Sequence, residues 1–267
     1  MKKYICCLMF MISIAAVPET ARAEEIQPPH LIQTVTEQDV LDGLLELGLL
    51  ECPALETEDC DMAYENVRDC IVRIYMGNAY GSGVIWEIAP ERIVIATNKH
   101  VLEYWDDMIS LVQFPQGASV EAEVLGISED YDIGFLAVDT KEFHGRELEQ
   151  MRYVRRDADR YDGLRAGDVI FCTGAGRYEA GSEEDVAEPG RFYQGSIGDM
   201  HRYIGEFEEY MIYGYGYAVE GMSGGGTFDA YGNFIGMISG ATEAGETASV
   251  PLPVIEEAYE TLVKQIP

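Results

Sequence analysis

Two series of short β-branched or alternating runs, separated by turn-forming residues, constrain the fold of this chain most strongly. The first series lies between residues 71 and 138 with no long helical pattern inside it, and the second lies between residues 168 and 239. Short strands at such spacing are typical of antiparallel barrels and sandwiches. The sequence therefore predicts an all-β fold built in two halves.

Helical spacing is found at the two ends of the chain. Thr36 is a predicted N-cap, and apolar residues follow it at helical spacing: Val40, Leu41, Leu44 and Leu45. After Pro253, apolar residues recur every four positions: Val254, Ala258, Leu262 and Ile266. One apolar face on each helix predicts that both helices pack against the β-rich body. We therefore expect an N-terminal helical, cysteine-bearing extension over residues 24–66 and a C-terminal helix.

The composition changes between Lys141 and Arg165, where the strand signal is weak. Seven of the fifteen Lys and Arg residues after position 23 fall in this stretch. We interpret it as an exposed connection between the two halves, with its charges solvated or paired with neighbouring aspartates. A docking patch for an acidic partner is the alternative.

The first 23 residues have the pattern of a cleavable export signal. Two lysines precede an apolar run over residues 4–17, and the segment 21–23 provides a small-x-small exit. We predict cleavage after Ala23 and a periplasmic or extracellular protein, with an uncleaved anchor as the alternative. No later stretch is long and apolar enough to cross a bilayer, so we expect no stable membrane insertion after cleavage.

The chain is strongly acidic. Its formal charge is −30, and loss of Lys2, Lys3, Glu19 and Arg22 with the signal changes it to −32. Such a surface repels nucleic acid and anionic lipid, and we interpret most of the charge as a solubilising coat. Nucleic acid is therefore not an expected partner.

Four cysteines follow the signal: Cys52, Cys60, Cys70 and Cys172. In an oxidising compartment they permit two disulfides in three connectivities, and the three near the N-terminus favour a local bridge. Cys172 lies in an apolar run and is alternatively a small buried residue. Metal binding is disfavoured because there is no Cys-x-x-Cys spacing and no nearby histidine. We expect neither a metal nor a cofactor.

The stretch from Gly221 to Gly226 holds one serine, Ser223, among four glycines. Glycine turns sharply and leaves backbone amides reachable, which is what a nucleophilic serine with nearby oxyanion donors requires. A plain turn is the alternative. The interpretation therefore depends on a base and an acid elsewhere in the chain.

His100 is the candidate base, because it lies where an apolar strand-like run gives way to a turn. The other three histidines are predicted to be surface residues: His30, His144 and His201. Asp132 is the candidate acid because it directly precedes an apolar run, where a buried carboxylate is tolerated only with a hydrogen-bonding partner. Its neighbour Asp130 is the rival.

His100, Asp132 and Ser223 follow one another in the order His, Asp, Ser, as in trypsin-type enzymes. With these residues in place, the sequence resembles the trypsin-like, chymotrypsin-fold serine peptidases. Three blocks carry the likeness: residues 81–85 leading to 97–101, residues 132–136, and residues 221–225. The likeness is to their exported bacterial branch, akin to the high-temperature-requirement (HtrA-type) proteases. The PDZ modules that commonly trail in that branch are not expected here.

The resemblance implies two antiparallel six-stranded β-barrels packed face to face, with the site between them. The peptidase domain would cover residues 67–267. Within it, the first barrel would span about 67–140, the connection 141–165, and the second barrel with the C-terminal helix 166–267.

The resemblance also assigns roles. His100 would act as general base and then general acid, Asp132 would orient it, and Ser223 would be the nucleophile. The backbone N–H groups of Gly221 and Ser223 would form the oxyanion hole. Met222 stands where relatives have Asp or Asn, which argues against activation by a newly cut N-terminus. Gly226 replaces a usual proline, so a looser loop is expected.

By the same resemblance, the substrate pocket is built from five residues: Tyr217, Ala218, Ser239, Gly240 and Ala241. No acidic residue falls at its base, so a strict preference for Lys or Arg is not expected. Tyr217 is expected to make the pocket shallow and to favour small or medium apolar side chains. Ser239 is also expected to hydrogen-bond Asp132.

The sequence thus predicts an exported serine endopeptidase that cleaves polypeptide substrates. A catalytically silent homologue that binds another protein is the alternative, and the presence of base, acid and nucleophile together favours the enzyme. A serine esterase on another scaffold is disfavoured, because no Gly-x-Ser-x-Gly lies between a strand and a helix and the acid precedes the serine. The segment from Glu24 to Asp61 is a candidate cover for the cleft, and no pattern sets the oligomeric state.

Overall fold

The computed structural model describes residues 36–77, 79–175 and 192–264. These residues form two antiparallel β-units and flanking helices, so the predicted all-β class is confirmed. The predicted export signal, its cleavage site after Ala23, His30 and Ile266 lie outside the described residues. Within the described ranges, every helix is too short or too polar to span a bilayer.

The first unit is a sheet of seven antiparallel strands in the order β5-β4-β1-β2-β3-β7-β6. Its strands are β1 Ile71–Met76, β2 Ala79–Ile88, β3 Arg92–Thr97, β4 Ser110–Gln113, β5 Ser119–Val120, β6 Glu123–Ile127 and β7 Gly134–Asp139. The central strands are rich in Ile and Val, whose branched side chains pack well on a pleated surface.

The first sheet remains open, whereas the family resemblance implies a ring of six strands. Its edge strands β5 and β6 are not paired with each other. β5 is only two residues long and pairs with β4 through Val120 and Ser119 alone. Too little backbone is therefore available at this edge to close the ring, and the unit is a half-barrel.

The second unit is a closed barrel of six antiparallel strands, as expected, in the order β10-β13-β12-β11-β8-β9. Its strands are β8 Val169–Thr173, β9 Phe192–Ile204, β10 Glu209–Tyr215, β11 Gly226–Asp229, β12 Phe234–Thr242 and β13 Glu246–Pro251. The serine-bearing loop joins β10 to β11, and so leaves the barrel at one end.

An aromatic cluster joins the two units. Trp86 of β2 is fully buried, and its ring contacts Phe135 of β7 and Phe234 of β12 at centroid distances of 6.4 and 6.0 Å. Tyr259 lies 5.9 Å from the same ring. Edge-on and tilted aromatic contacts add about 0.5–1.5 kcal/mol each beyond area burial. The cluster fixes how the half-barrel and the barrel face each other.

The C-terminal helix, α6 Leu252–Leu262, carries Tyr259 into this cluster. It has a proline in its first turn, where the missing N–H has no helical partner to lose. Its buried residues are Leu252, Ile255, Ala258 and Tyr259. The predicted packing of this helix on the body is therefore confirmed.

The N-terminal extension contains two helices, α1 Glu37–Glu46 and α2 Cys60–Val67. Thr36 caps α1 through a reciprocal capping box with Asp39, as the sequence indicates. Two backbone hydrogen bonds join the extension to the turn between β11 and β12, from Leu55 N–H to the Tyr231 carbonyl and from Asp59 N–H to the Ala230 carbonyl, each 2.9 Å long.

The expectation of a local disulfide among Cys52, Cys60 and Cys70 is wrong: all four cysteines after the predicted signal are free thiols, and no disulfide joins any of the described residues. Cys52 and Cys70 are fully buried neighbours: burial raises the pKa of Cys70 well above its ordinary value, and a hydrogen bond with Cys52 adds to the rise. Cys172 is buried inside the barrel, which is the alternative that its apolar surroundings indicate.

The interpretation of residues 141–165 as an exposed connection is wrong for its apolar side chains. The stretch forms two short helices, α4 Gly145–Gln150 and α5 Ala158–Gly163, and five of its apolar side chains are buried: Phe143, Leu148, Met151, Val154 and Leu164. These residues are scattered singly among charges, so neither helical nor strand spacing reveals them. Two of the basic side chains pair with acids of other segments: Arg155 with Glu51 at 2.9 Å and Arg160 with Asp229 at 3.0 Å.

Candidate active site

The structure pairs His100 with Asp132. His100 lies on a one-turn helix after β3, α3 Lys99–Leu102, and Asp132 lies just before β7, the strand that pairs with β3. The imidazole Nδ1 is 2.9 Å from Oδ2 and 3.0 Å from Oδ1 of the carboxylate. The backbone N–H of His100 also donates to Oδ1 at 3.0 Å. This arrangement holds the ring with Nδ1 toward the acid and leaves Nε2 free to face a nucleophile.

The Asp132 side chain is only 10% exposed. Burial by itself would raise the pKa of Asp132, but the hydrogen bonds from His100 and its electrostatic interaction outweigh burial, and the Ser239 hydroxyl acts in the same direction. The pKa of Asp132 therefore lies below its ordinary value. A carboxylate that stays ionised is what orients an imidazole and stabilises its protonated form.

Two successive turns shape the serine loop. Met222 N–H donates to the Val219 carbonyl at 3.0 Å, and Gly221 at the third turn position has φ +88°. Gly225 N–H donates to the Met222 carbonyl at 2.8 Å, and Gly224 has φ +84°. A positive φ at this position is the mark of a type II turn, which glycine adopts without strain. Ser223 thus occupies the second position of the second turn.

The first unit holds the serine loop through Ser82 of β2, which is fully buried. Its backbone N–H donates to the Ser223 carbonyl at 2.8 Å, and its hydroxyl donates to the Gly221 carbonyl at 2.6 Å. A Cβ at Gly224 would overlap the Ser82 carbonyl oxygen and the Thr97 hydroxyl. Glycine is required there for close approach as well as for its backbone angle.

The N–H groups of Gly221 and Ser223 take part in no hydrogen bond among the described residues. Nor does the Ser223 hydroxyl bond to the His100 imidazole there. Catalytic hydrogen bonds often tighten only when substrate binds. Both amides and the hydroxyl therefore have no hydrogen-bond partner in the part of the chain that the structure describes.

Met222 anchors the loop by burial rather than by charge. It is 1% exposed and packs with Cys172 and Ile238. Its sulfur accepts the Val219 N–H at 3.3 Å. The departure from the family pattern at this position therefore replaces a polar anchor with an apolar one, and the turn that carries Gly221 is closed.

Gly226 is not part of a loose loop, so that expectation is wrong. It is the first residue of β11, where it pairs with Met237 and Thr173. A Cβ there would overlap the Phe228 ring. That ring is fully buried and stacks on Phe171 at 5.4 Å, so glycine is needed for packing.

The alternative acid and the other two described histidines take no part in the His100–Asp132 pair. Asp130 is exposed, and His144 pairs weakly with Glu37 at 3.6 Å on the surface. His201 is exposed and stacks on Tyr210 at 4.4 Å. The prediction that these two histidines are surface residues is confirmed. No group of three or more His, Cys, Asp or Glu in the described ranges is arranged to hold a metal ion.

Two of the predicted pocket residues precede Ser223 in the chain and three follow it. Ser239, Gly240 and Ala241 are on β12, with Ser239 buried and Ala241 exposed. Ala218 packs against the cluster that contains Met222. Tyr217 is 57% exposed, and a Cβ at Gly245 would lie 3.2 Å from its ring. The shallow pocket and its preference for small or medium apolar side chains remain predictions.

The sequence does not predict a role at the site for three polar residues: Ser82, Asn98 and Glu209. Asn98 is fully buried, and its amide donates to the Asp132 carbonyl at 3.1 Å and to the Ser239 hydroxyl at 3.0 Å. It joins the loop that carries the acid to β12 of the barrel. The local signal for Asn98 is its position before His100, which indicates a helix cap rather than a bridge.

A family profile described as a trypsin-like peptidase domain matches residues 81–237. The match covers more than half of the chain and includes His100, Asp132 and Ser223. The chain belongs to the trypsin-like peptidase family. No curated protein matches this peptidase.

Solved structures of the HtrA-type protease AlgW have a similar fold. The structure of AlgW with a tripeptide aligns at a TM-score of 0.61 and 22% identity, over 78% of this peptidase and 64% of that chain. An AlgW variant with a decapeptide aligns at 0.60 and 19%, over 77% and 67%. A variant with a tripeptide aligns at 0.60 and 21%, over 76% and 62%. The peptidase therefore spans less than two thirds of two of these chains, and the likeness shows the trypsin fold.

Proposed function

We propose that this trypsin-like peptidase is an exported serine endopeptidase that uses His100, Asp132 and Ser223 as its triad. The observation that carries the proposal is the two-point contact between the His100 Nδ1 and the Asp132 carboxylate, reinforced by the His100 backbone N–H. A buried acid with a lowered pKa beside an imidazole whose Nε2 is free is the arrangement of a general base. Export rests on the pattern of residues 1–23.

In the proposed reaction, His100 Nε2 accepts the Ser223 hydroxyl proton as the serine oxygen attacks the substrate carbonyl. The tetrahedral intermediate collapses as the protonated imidazole gives its proton to the leaving amine, which forms the acyl-enzyme. A water molecule then repeats the sequence and releases the acid. Asp132 keeps the imidazole in the required tautomer throughout and stabilises its charged form.

The free N–H groups of Gly221 and Ser223 are the proposed oxyanion donors. The type II turn at residues 219–222 closes with Gly221 at φ +88°, and Ser82 holds the Gly221 carbonyl from the other side. Donors fixed before the reaction cost no reorganisation when charge develops on the oxygen. Loss of one such donor typically lowers kcat by about 10²–10³.

The proposed substrate is a polypeptide bound along β12 beside Ser239, Gly240 and Ala241. AlgW, which shares the fold, is seen with a tripeptide and with a decapeptide. The strongly negative chain disfavours acidic polypeptides. The segment from Glu24 to Asp61 is proposed as a modulator, and deletion of it tests this role because unchanged peptide hydrolysis would exclude inhibition.

A fluorophosphonate probe tests the enzyme proposal, because it reacts with a serine only when the base and the oxyanion donors are in place. We expect labelling of the purified protein at Ser223, none in Ser223→Ala, and a strong reduction in His100→Ala. The matched control is His201→Ala, which removes an exposed imidazole outside the site. If the folded protein is not labelled at Ser223, the silent protein-binding alternative is favoured.

A further inference from the structure

A buried carboxylate stands behind the proposed triad. Glu209 is the first residue of β10 and is only 9% exposed. The residue before it, Glu208, has φ +56°, the single positive φ of a residue other than glycine in the described ranges. Non-glycine residues rarely adopt this backbone conformation, and they do so at some cost. This unfavourable backbone conformation lies in the turn between β9 and β10, directly before the buried Glu209.

Glu209 contacts the acid of the triad across the two units. Its Oε1 accepts the backbone N–H of Asp132 at 2.8 Å. The Asp132 carboxylate meanwhile binds the Nδ1 and the backbone N–H of His100. The main chain of Asp132 is thus held from the barrel, while its side chain holds the imidazole in the half-barrel.

This contact leaves Glu209 incompletely satisfied. Its second oxygen, Oε2, is buried and has no hydrogen-bond partner among the described residues. A neutral acceptor such as glutamine would hold the same N–H without burying a charge. Buried carboxylates without full pairing are costly, and they concentrate where chemistry needs them. The carboxylate is therefore an unexpected choice if Glu209 only supports the fold.

The electrostatic surroundings couple Glu209 to the triad. Burial raises the pKa of Glu209 to about 7, the Asp132 N–H opposes the rise, the Asp132 carboxylate adds to it, and Lys99 of α3 opposes it. Lys99 points its ammonium to the Glu129 carbonyl at 3.0 Å and is not a direct partner. The charged and titratable groups around Glu209 are therefore Asp132, His100 beyond it, and Lys99.

We propose that Glu209 is a positioning residue of the active site, which holds the Asp132 backbone from the barrel and so sets the orientation of the Asp132–His100 pair. The proposal rests on the triad proposed above. It assigns to the β9–β10 turn a part in catalysis, although Glu209 does not touch the substrate. It also predicts that the charge on Glu209 acts on His100 through Asp132.

Two variants separate the hydrogen bond from the charge. Glu209→Gln keeps an acceptor oxygen and removes the charge, whereas Glu209→Ala removes both. Glu206→Gln is the matched control, because Glu206 is an exposed glutamate of the same turn. Each protein is compared by peptide hydrolysis over pH 5–9 and by the NMR titration of the His100 ring, and only the first measurement requires turnover.

For Glu209→Ala we expect kcat to fall by about tenfold to a hundredfold with little change in KM, as for loss of a hydrogen bond to a charged group. For Glu209→Gln we expect much of kcat to be retained, and we expect the contribution of the Glu209 ionisation near pH 7 to be lost from the pH profile of peptide hydrolysis. In both variants the His100 titration moves to lower pH, because a negative charge that favours the imidazolium is gone. Glu206→Gln leaves all three quantities unchanged.

The proposal is overturned if the pH profile and the His100 titration of Glu209→Gln match those of Glu206→Gln. Should Glu209→Ala fail to fold, this comparison still decides. If the parent protein shows no Ser223-dependent activity, the function proposed above fails, yet the His100 titration still reports whether Glu209 acts on the Asp132–His100 pair. A shift confined to Glu209 variants then supports the positioning contact alone.

Discussion

Replacement of Met222 tests whether an apolar anchor prepares the serine loop. Met222 is 1% exposed and packs with Cys172 and Ile238, and its backbone N–H closes the turn that carries Gly221. Truncation of a buried methionine to alanine costs about 2–5 kcal/mol through lost contacts and a cavity. Because Met222 packs only within this small cluster, we place Met222→Ala near the lower end, at about 2–3 kcal/mol.

This loss should appear first as opening of the loop rather than as global unfolding. We expect kcat to fall by about 10²-fold in Met222→Ala, similar to the loss of one oxyanion donor, while the His100 titration stays as in the parent. Met222→Leu keeps the apolar volume and is expected to lose less than about 1.5 kcal/mol. Hydrolysis of a peptide ester and urea unfolding measure the two quantities. Full activity in Met222→Ala would refute the role assigned to the anchor.

Three further predictions concern the support of the site. Asn98→Ala removes the bridge from Asp132 to Ser239, so we expect the free energy of unfolding to fall by about 1–3 kcal/mol and kcat to fall as well. Urea unfolding and peptide hydrolysis measure the two quantities, and unchanged values would exclude the bridge. Gly226→Ala forces a Cβ into the Phe228 ring and should cost about 1–3 kcal/mol of stability, whereas the exposed control Gly163→Ala should not. Burial raises the pKa of Glu209 from 4.5 to about 7, so the folded state holds this proton more tightly than the unfolded state. Stability should therefore fall as pH rises from about 4.5 through 7, by about 1–3 kcal/mol more in the parent than in Glu209→Gln, and parallel curves would contradict this.

The sequence predicts the candidate triad because each member has a local signal. His100 and Asp132 each lie beside an apolar strand, and Ser223 lies among glycines, two of which, Gly221 and Gly224, have positive φ angles. Strand exits and glycine turns are local properties of the chain, so pattern reasoning finds them. The helix that begins after Thr36 follows from a signal of the same kind, whereas the closed second barrel is implied by the family resemblance and not by the strand spacing, which is also typical of sandwiches.

The supports of the site could not be predicted, because their partners are distant in sequence. Ser82 and Gly221 are 139 positions apart, Asn98 and Ser239 are 141 apart, and Glu209 and Asp132 are 77 apart. A polar residue alone does not indicate which distant group it binds. Only tertiary packing decides whether it is solvated or buried in a network.

The two departures from the family pattern, Met222 and Gly226, also depend on tertiary contacts that the sequence does not show. By comparison with relatives, Gly226 indicates a looser loop and Met222 argues against activation by a newly cut N-terminus. The sequence shows which groups are missing but not what replaces them. The structure supplies a pocket of Cys172 and Ile238 for Met222 and a buried ring beside Gly226. The burial of residues in the connection at 141–165 is not predictable for a related reason, since its buried apolar residues follow neither helical nor strand spacing.

The central claim is that Ser223 forms an acyl-enzyme with help from His100 and Asp132. Its most direct test is rapid mixing of the protein with a chromogenic ester, followed by mass spectrometry of the quenched sample. The account predicts a burst of about one leaving group per protein molecule and an acyl mass on the peptide that contains Ser223, both lost in Ser223→Ala. A folded protein that shows neither the burst nor the acyl mass would contradict it.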